Sequence, residues 1–226
     1  MAEQIPLDLP AGRPAASGRA EFFPSPANRL ALAAVDAWQG WPEGKLVLAG
    51  PPGSGKSHLA RIWAAETGAL RLGADEVELA LATPGATPPA TRVAVEDVPR
   101  ICGDRAAEEA LFHLHNRLRA EGGRLLMTGR GSPERWDFAL PDLASRVRAA
   151  QLAELGAPDD ALMSAVLVKL FADRQLAPHP RLNQRLVTRI EPSFTAAQTE
   201  VVGLDARALA TGRALNVELA REVVAD

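Results

Sequence analysis

"GPPGSGKS" runs from Gly50 to Ser57. It fits G-x-x-x-x-G-K-[ST]. The apolar run "KLVLAG" (45–50) precedes it and a helical pattern over 56–67 follows, the strand, loop and helix that this spacing needs. Glycines here let backbone N–H groups turn inward around phosphate oxygens, and the helix N-terminus adds a favourable dipole. Gly50, Pro51, Pro52, Gly53, Ser54, Gly55, Lys56, Ser57 and His58 are the expected phosphate cradle, with Lys56 reaching the terminal phosphates and Ser57 ligating Mg²⁺. The ligand class is a nucleoside di- or triphosphate.

Working outward, further apolar runs follow at "ALRL" (69–72), "RVAVED" (92–97), "RLLMTG" (124–129) and "AAQLAEL" (149–155). Helical patterns separate them near 75–82, 105–121 and 141–147, and another runs from Asn28, a candidate N-cap, through Trp38. Strand and helix in alternation predict an α/β fold, a five-stranded parallel sheet covered on both faces. After Pro158 the strands stop. Asp159 can cap a helix to about Arg174, and helices are predicted near 180–190, 193–210 and 216–224. The expected organisation is a flexible tail over 1–26, an α/β nucleotide-binding domain over 27–156 and a small all-helical domain over 157–226. "TPGATPPAT" (83–91) reads as a turn-rich surface loop.

Composition narrows the function classes. The net charge is −3 with 25 basic residues, so no overall basic field favours nonspecific nucleic-acid binding. Cys102 is the single cysteine, which excludes an internal disulfide and a multi-cysteine metal site. No basic n-region opens the chain, and no run reaches the roughly 18 apolar residues of a membrane span. A cytoplasmic protein without a membrane partner is the expectation. His113 and His115 lie two apart on a helix and do not share a face, so they do not form a metal pair.

The third strand ends in Glu96 and Asp97 at the carboxyl edge of the sheet, beside the phosphate loop. In such sites the first acid holds Mg²⁺, often through water, and the second positions the attacking water. Glu96 and Asp97 take those expected roles, and a solvated strand end is the plainer alternative. Thr128, at the end of the fourth strand, is placed to orient water or the γ-phosphate.

In these residues the sequence resembles the AAA+ family, in the branch of the bacterial replication initiator DnaA. The resembling stretches are "FFPSPANRLALAAV", "GPPGSGKSHLARIW", the acidic strand end, "RLLMTGRGSPERW" and "LPDLASRV", within a span from about 22 to 224. The resemblance implies the AAA+ P-loop NTPase fold with ADP or ATP held between the sheet and a helical lid. It also implies that Arg146, in "LPDLASRV", is an arginine finger acting in trans, where a guanidinium offsets charge on a phosphoryl transition state. Without the resemblance, a solvated helix-end arginine or an intradomain ion pair is the plainer reading of Arg146.

Two expected family features are not found. Where the family carries a lid arginine, this chain has "RIEPSFTAAQ", with Pro192 and Thr195 near the two matching places; Arg189, just upstream, reads as surface or interdomain. The initiator continues into a helix-turn-helix domain, whereas this sequence ends at Asp226 after the expected fourth lid helix. A DnaA-like AAA+ unit on its own is the expectation.

In "EQIPLDLP" (3–10), Pro6 and Pro10 stiffen an extended peptide that offers Gln4, Leu7 and Leu9. Seen with the resemblance, the Q-x-x-L-x-L pattern looks like a docking peptide for the DNA polymerase sliding clamp. Such a peptide loses little entropy on binding and seats its leucines in an apolar pocket. The implied partners are the clamp, DnaA, and DNA indirectly through the clamp, with a homo-oligomer also open. The implied activity is negative regulation of replication initiation, by promoting hydrolysis of DnaA-bound ATP. A self-contained ATPase such as a helicase loader, and a nucleotide-binding interaction module without catalytic contribution, are the alternatives.

Overall fold

The computed structural model describes residue 19, residues 22–83 and residues 91–211. Gln4, Leu7 and Leu9, most of the 83–91 loop and the helix expected at 216–224 lie outside the described residues. Strands β1 (Lys45–Gly50), β2 (Leu70–Gly73), β3 (Arg92–Glu96), β4 (Arg124–Arg130) and β5 (Gln151–Glu154) form one parallel sheet in the order β2-β3-β4-β1-β5. In its central register Val47 pairs with Met127, and Met127 with Val95.

Parallel strands joined by helical crossovers are buried on both faces, so they read as continuous apolar runs. Leu46, Val47 and Leu48 are fully buried, and so are Val93, Ala94 and Val95. The pleat divides them between two cores. Val47, Val93, Val95 and Met127 face Leu111, Leu114 and Leu118 of α4 (Arg105–Ala120) and Leu143 and Val147 of α5 (Pro141–Arg148). Leu46, Leu48, Ala94 and Leu126 face α1 (Arg29–Asp36) and α2 (Lys56–Thr67) through Leu32, Leu59 and Trp63. A short α3 (Val77–Ala82) joins β2 towards β3.

Helices α6 (Asp160–Asp173), α7 (Pro180–Val187) and α8 (Phe194–Thr211) enclose a separate core of Leu167, Phe171, Leu182, Leu186, Val201 and Leu204. Asp159 caps α6, its carboxylate accepting from the Leu162 N–H at 2.8 Å. No helix among the described residues is long and apolar enough to cross a membrane.

Several boundaries shift for local reasons. Ala149 and Ala150 finish the turn after α5, so β5 starts at Gln151. The helix expected from 75 begins as a 3₁₀ turn at Ala74, because Glu76 reaches back to accept from the Gly73 N–H at 2.7 Å. Asn28 does not cap α1 through its side chain. Its amide instead donates to the Phe23 carbonyl at 3.0 Å and its Oδ1 accepts from the Ser25 N–H at 2.8 Å, bracing the segment that leads into the helix.

One buried carboxylate ties two loops to α4. Glu108 is fully buried, and its oxygens accept N–H bonds from Gly103 (2.8 Å), Ala139 (2.9 Å) and Leu140 (2.6 Å). Gly103 follows the acidic end of β3, and Leu140 precedes α5, the helix that carries Arg146. Glu108→Gln turns one acceptor into an NH₂ that faces backbone donors. The expected loss is about 2–3 kcal/mol, a fall of about 4–12 °C in Tm for a chain of this size, read by thermal denaturation.

Candidate functional site

The phosphate loop joins β1 to α2 along the carboxyl edge of the sheet, where open α/β sheets place their ligands. Gly53 and Gly55 have φ of 67° and 97°, left-handed values that favour glycine. Both also lie against the C-terminal helices. A Cβ on Gly53 would sit 2.3 Å from Cβ of Ser193, and one on Gly55 would sit 2.7 Å from the Phe194 ring. The Phe194 N–H donates to the Gly53 carbonyl at 2.9 Å, so the first turn of α8 is hydrogen-bonded to the loop.

Lys56 is half-buried and folded back on the loop, with Nζ donating to the carbonyls of Gly50 (2.9 Å) and Pro51 (2.6 Å) and to Ser54 Oγ (3.3 Å). Burial, and then the nearby Arg130 guanidinium, lower its pKa below the ordinary lysine value. An anion beside it would reverse that pressure.

Two clefts open on either side of this loop. The first, of about 450 Å³, is bordered by Phe22, Asn28, His58, Leu162, Val166 and Phe194. Phe22 stacks on His58 with centroids 5.7 Å apart and planes at 14°. The second, of about 740 Å³, brings Lys56, Ser57, Asp97 and Thr128 together with Arg130 and Arg189. Asp97 takes a left-handed backbone (φ 58°), uncommon for a residue with a Cβ and a conformation often retained at functional positions. The buried Thr128 fixes that turn, its hydroxyl accepting from the Asp97 N–H at 3.1 Å.

Glu96 faces a different partner. Arg71 of β2 engages it through Nε at 2.9 Å and through Nη2, and Glu96 borders neither cleft. Mg²⁺ prefers oxygen ligands, uses one or two carboxylates, and completes its shell with phosphates and water. Ser57 and Asp97 both line the second cleft and offer a hydroxyl and a carboxylate, oxygen donors of the kind such an ion takes, whereas at Glu96 a metal would compete with a guanidinium.

Arg146 lies in the last turn of α5, half-buried, with its guanidinium carbon 5.2 Å from the centre of the Phe112 ring. It borders neither cleft of its own chain. Burial pushes the Cys102 thiol up to about 11, away from the thiolate form that a nucleophile needs. Trp41, Trp63 and Trp136 are buried packing residues.

Sequence reasoning missed the cleft positions of Arg130 and Arg189 and the contact of Ser193 and Phe194 with the loop. Arg130 was within reach, as the residue that follows "RLLMTG" on the same strand. The others depend on how α7 and α8 fold back across the sheet edge.

No family model matches the sequence. The structure is similar to domain III of the Thermotoga maritima replication initiation protein DnaA, with a TM-score of 0.80 and 16% identity over 90% of this chain and 93% of that one. It is also similar to a replication initiator DnaA bound to AMPPCP and single-stranded DNA (TM-score 0.66, 18% identity, 84% and 67% covered). A FIGL-1 AAA domain in complex with ADP matches at TM-score 0.60 and 15% identity over 87% and 77%. The fold is that of the AAA+ P-loop proteins. Within that class, the architecture is of the kind seen in DnaA domain III.

Proposed function

We propose that this chain is a nucleotide-binding regulator of replication initiation, resembling Hda, the regulatory inactivator of DnaA. ADP or ATP occupies the clefts flanking Gly50–Ser57, with the base near Phe22 and His58 and the phosphates at Lys56. Ser57 holds Mg²⁺, with Asp97 lining the same cleft and Glu96 next to Asp97 in the chain. Gln4, Leu7 and Leu9 dock the protein on the sliding clamp, which brings it to DNA. Arg146 is presented to ATP on a DnaA molecule and promotes its hydrolysis, and Thr128 and Asp97 order the protein's own phosphate site.

The observation that carries this reading is the nearly end-to-end superposition on DnaA domain III, with 90% and 93% of the two chains covered. The exposure of part of Arg146 outside its own clefts supports a role towards a neighbour.

The experiment follows the fate of DnaA-bound ATP when this protein is added with and without clamp loaded on DNA. Acceleration is expected only with loaded clamp, and Leu7→Ala/Leu9→Ala is expected to remove about nine-tenths or more of it, as for the loss of a docking anchor. Acceleration that ignores the clamp would contradict the docking role, and no acceleration would contradict the regulatory one. A second reading, a self-contained ATPase such as a helicase loader, is favoured by the gathering of Lys56, Asp97, Thr128 and Arg189 in one cleft. Turnover by the isolated protein distinguishes it.

A further inference from the structure

Helix α7 gathers positive charge on its outer side. Residues 174–189 hold four arginines and no aspartate or glutamate, in a chain whose net charge is −3. Leu182 and Leu186 are buried in the core of the C-terminal helices, which turns the opposite side of α7 to solvent. Arg181 and Arg185 lie four residues apart and share that side, with the exposed Gln184 and Thr188 on the same arc. At the start of the helix the exposed His179 accepts the Arg181 N–H on Nδ1 at 3.2 Å, so in the neutral ring Nε2 is the N–H donor. None of these groups is an acid, and each can donate a hydrogen bond.

We infer that the outer face of α7, through Arg181 and Arg185 with Gln184 and Thr188 between and beside them, is a direct contact surface for the phosphate backbone of duplex DNA. The proposed function brings the chain to DNA through the clamp alone, and this contact goes beyond it. Four residues advance a helix by about 6 Å, so the two guanidiniums are spread along a line rather than gathered at a point, as a row of phosphates requires. Guanidinium, amide and hydroxyl groups are the side chains that hold phosphate oxygens without reading sequence. A protein partner is the poorer fit, because interface energy concentrates in buried aromatic and apolar anchors. Among the described residues the exposed large apolar side chains lie on other elements, such as Leu30 on α1 and Val202 on α8, and none lies on α7. Two to three phosphate contacts bind weakly by themselves. Tethering to a clamp on the same duplex makes the contact intramolecular, where a weak contact is sufficient to hold the C-terminal helices against DNA.

The test is fluorescence anisotropy of labelled duplexes of two unrelated sequences, titrated with the full chain over a series of salt concentrations, with no clamp and no DnaA present. The wild type is expected to bind both duplexes alike, with Kd on the order of 10⁻⁴–10⁻⁶ M and a log–log salt slope of about −2 to −3. Arg181→Ala/Arg185→Ala is expected to reduce that slope by about 1.8, the counterions released by two phosphate contacts, and to weaken binding at low salt about tenfold or more. Arg181→Lys/Arg185→Lys is expected to keep most of the slope, since the charge remains, and it serves as the control for folding together with the Tm of each variant. An unchanged slope in the alanine variant, a strong preference for one sequence, or no duplex binding by the wild type at low salt overturns the inference. So does a loss of binding to DNA-free clamp in the alanine variant with duplex affinity intact, which would make the face a protein contact. The regulatory proposal is read separately, from hydrolysis of DnaA-bound ATP, and does not fall with this one.

Discussion

Arg146→Ala is expected to reduce the stimulation of DnaA-bound ATP hydrolysis by about three orders of magnitude, the scale of a lost arginine finger, while ADP affinity of the variant protein stays at the wild-type level. The two halves of that expectation come from different facts. A phosphoryl transition state spreads negative charge over its equatorial oxygens, and an arginine supplied by a neighbour offsets it with two parallel N–H donors. Arg146 borders neither of its own clefts, so its removal leaves the protein's own nucleotide contacts in place. Its packing over Phe112 is worth only about 0.5–1 kcal/mol at a partly exposed site, too little to unfold the chain. Arg146→Lys keeps the charge and some of the ring contact, and is expected to recover little of the stimulation. Single-turnover hydrolysis of radiolabelled ATP on DnaA, with clamp loaded on DNA, reads both variants. Undiminished stimulation by Arg146→Ala would make Arg146 a packing residue and nothing more.

Gly53→Ala is the second large effect. Gly53 has φ of 67°, and a Cβ there would lie 2.3 Å from Ser193 Cβ, so the first turn of α8 has to move. Moving it breaks the Phe194 N–H bond to the Gly53 carbonyl. Backbone strain and the displaced contact together are expected to remove about 2–4 kcal/mol, and nucleotide affinity falls by about tenfold or more because both cleft walls shift. Gly68→Ala separates the two contributions. Gly68 has φ of 68° but no atom within 4 Å of the position of its missing Cβ, so only the left-handed backbone penalty of about 1–2 kcal/mol remains. Thermal denaturation of the two variants, with ADP titrations, measures the difference. Equal effects at Gly53 and Gly68 would mean that the α8 contact with the loop contributes nothing.

The strands were legible because a parallel sheet covered on both faces leaves an unmistakable trace. "KLVLAG" is β1 to the residue, and the acidic pair marks where β3 leaves the sheet. Capping was legible in full at Asp159, whose short side chain points forward, and in position alone at Asn28, the N-cap residue of α1, whose amide turns back to Phe23. What the sequence concealed lies at long separation. The Arg71 and Glu96 pair depends on two adjacent strands in register, with Gly73 opposite Glu96. The three N–H bonds to Glu108 come from two loops that nothing local connects, and the approach of Arg189 and Ser193 to the phosphate loop depends on the angle at which three helices fold back over the sheet edge. Local pattern encodes the elements, whereas the charge balance of the cleft is a property of their assembly.

The nucleotide-binding part of the proposed function requires that the clefts beside Gly50–Ser57 hold a nucleotide. The most direct measurement is titration of Mg²⁺-ADP into the isolated protein by calorimetry, paired with Tm at each concentration. A micromolar or tighter Kd is predicted, with a stabilisation of about 2.7 kcal/mol at a hundredfold excess over Kd, and loss of both in Lys56→Ala. No heat and no shift in Tm up to millimolar ADP would contradict the account at its base.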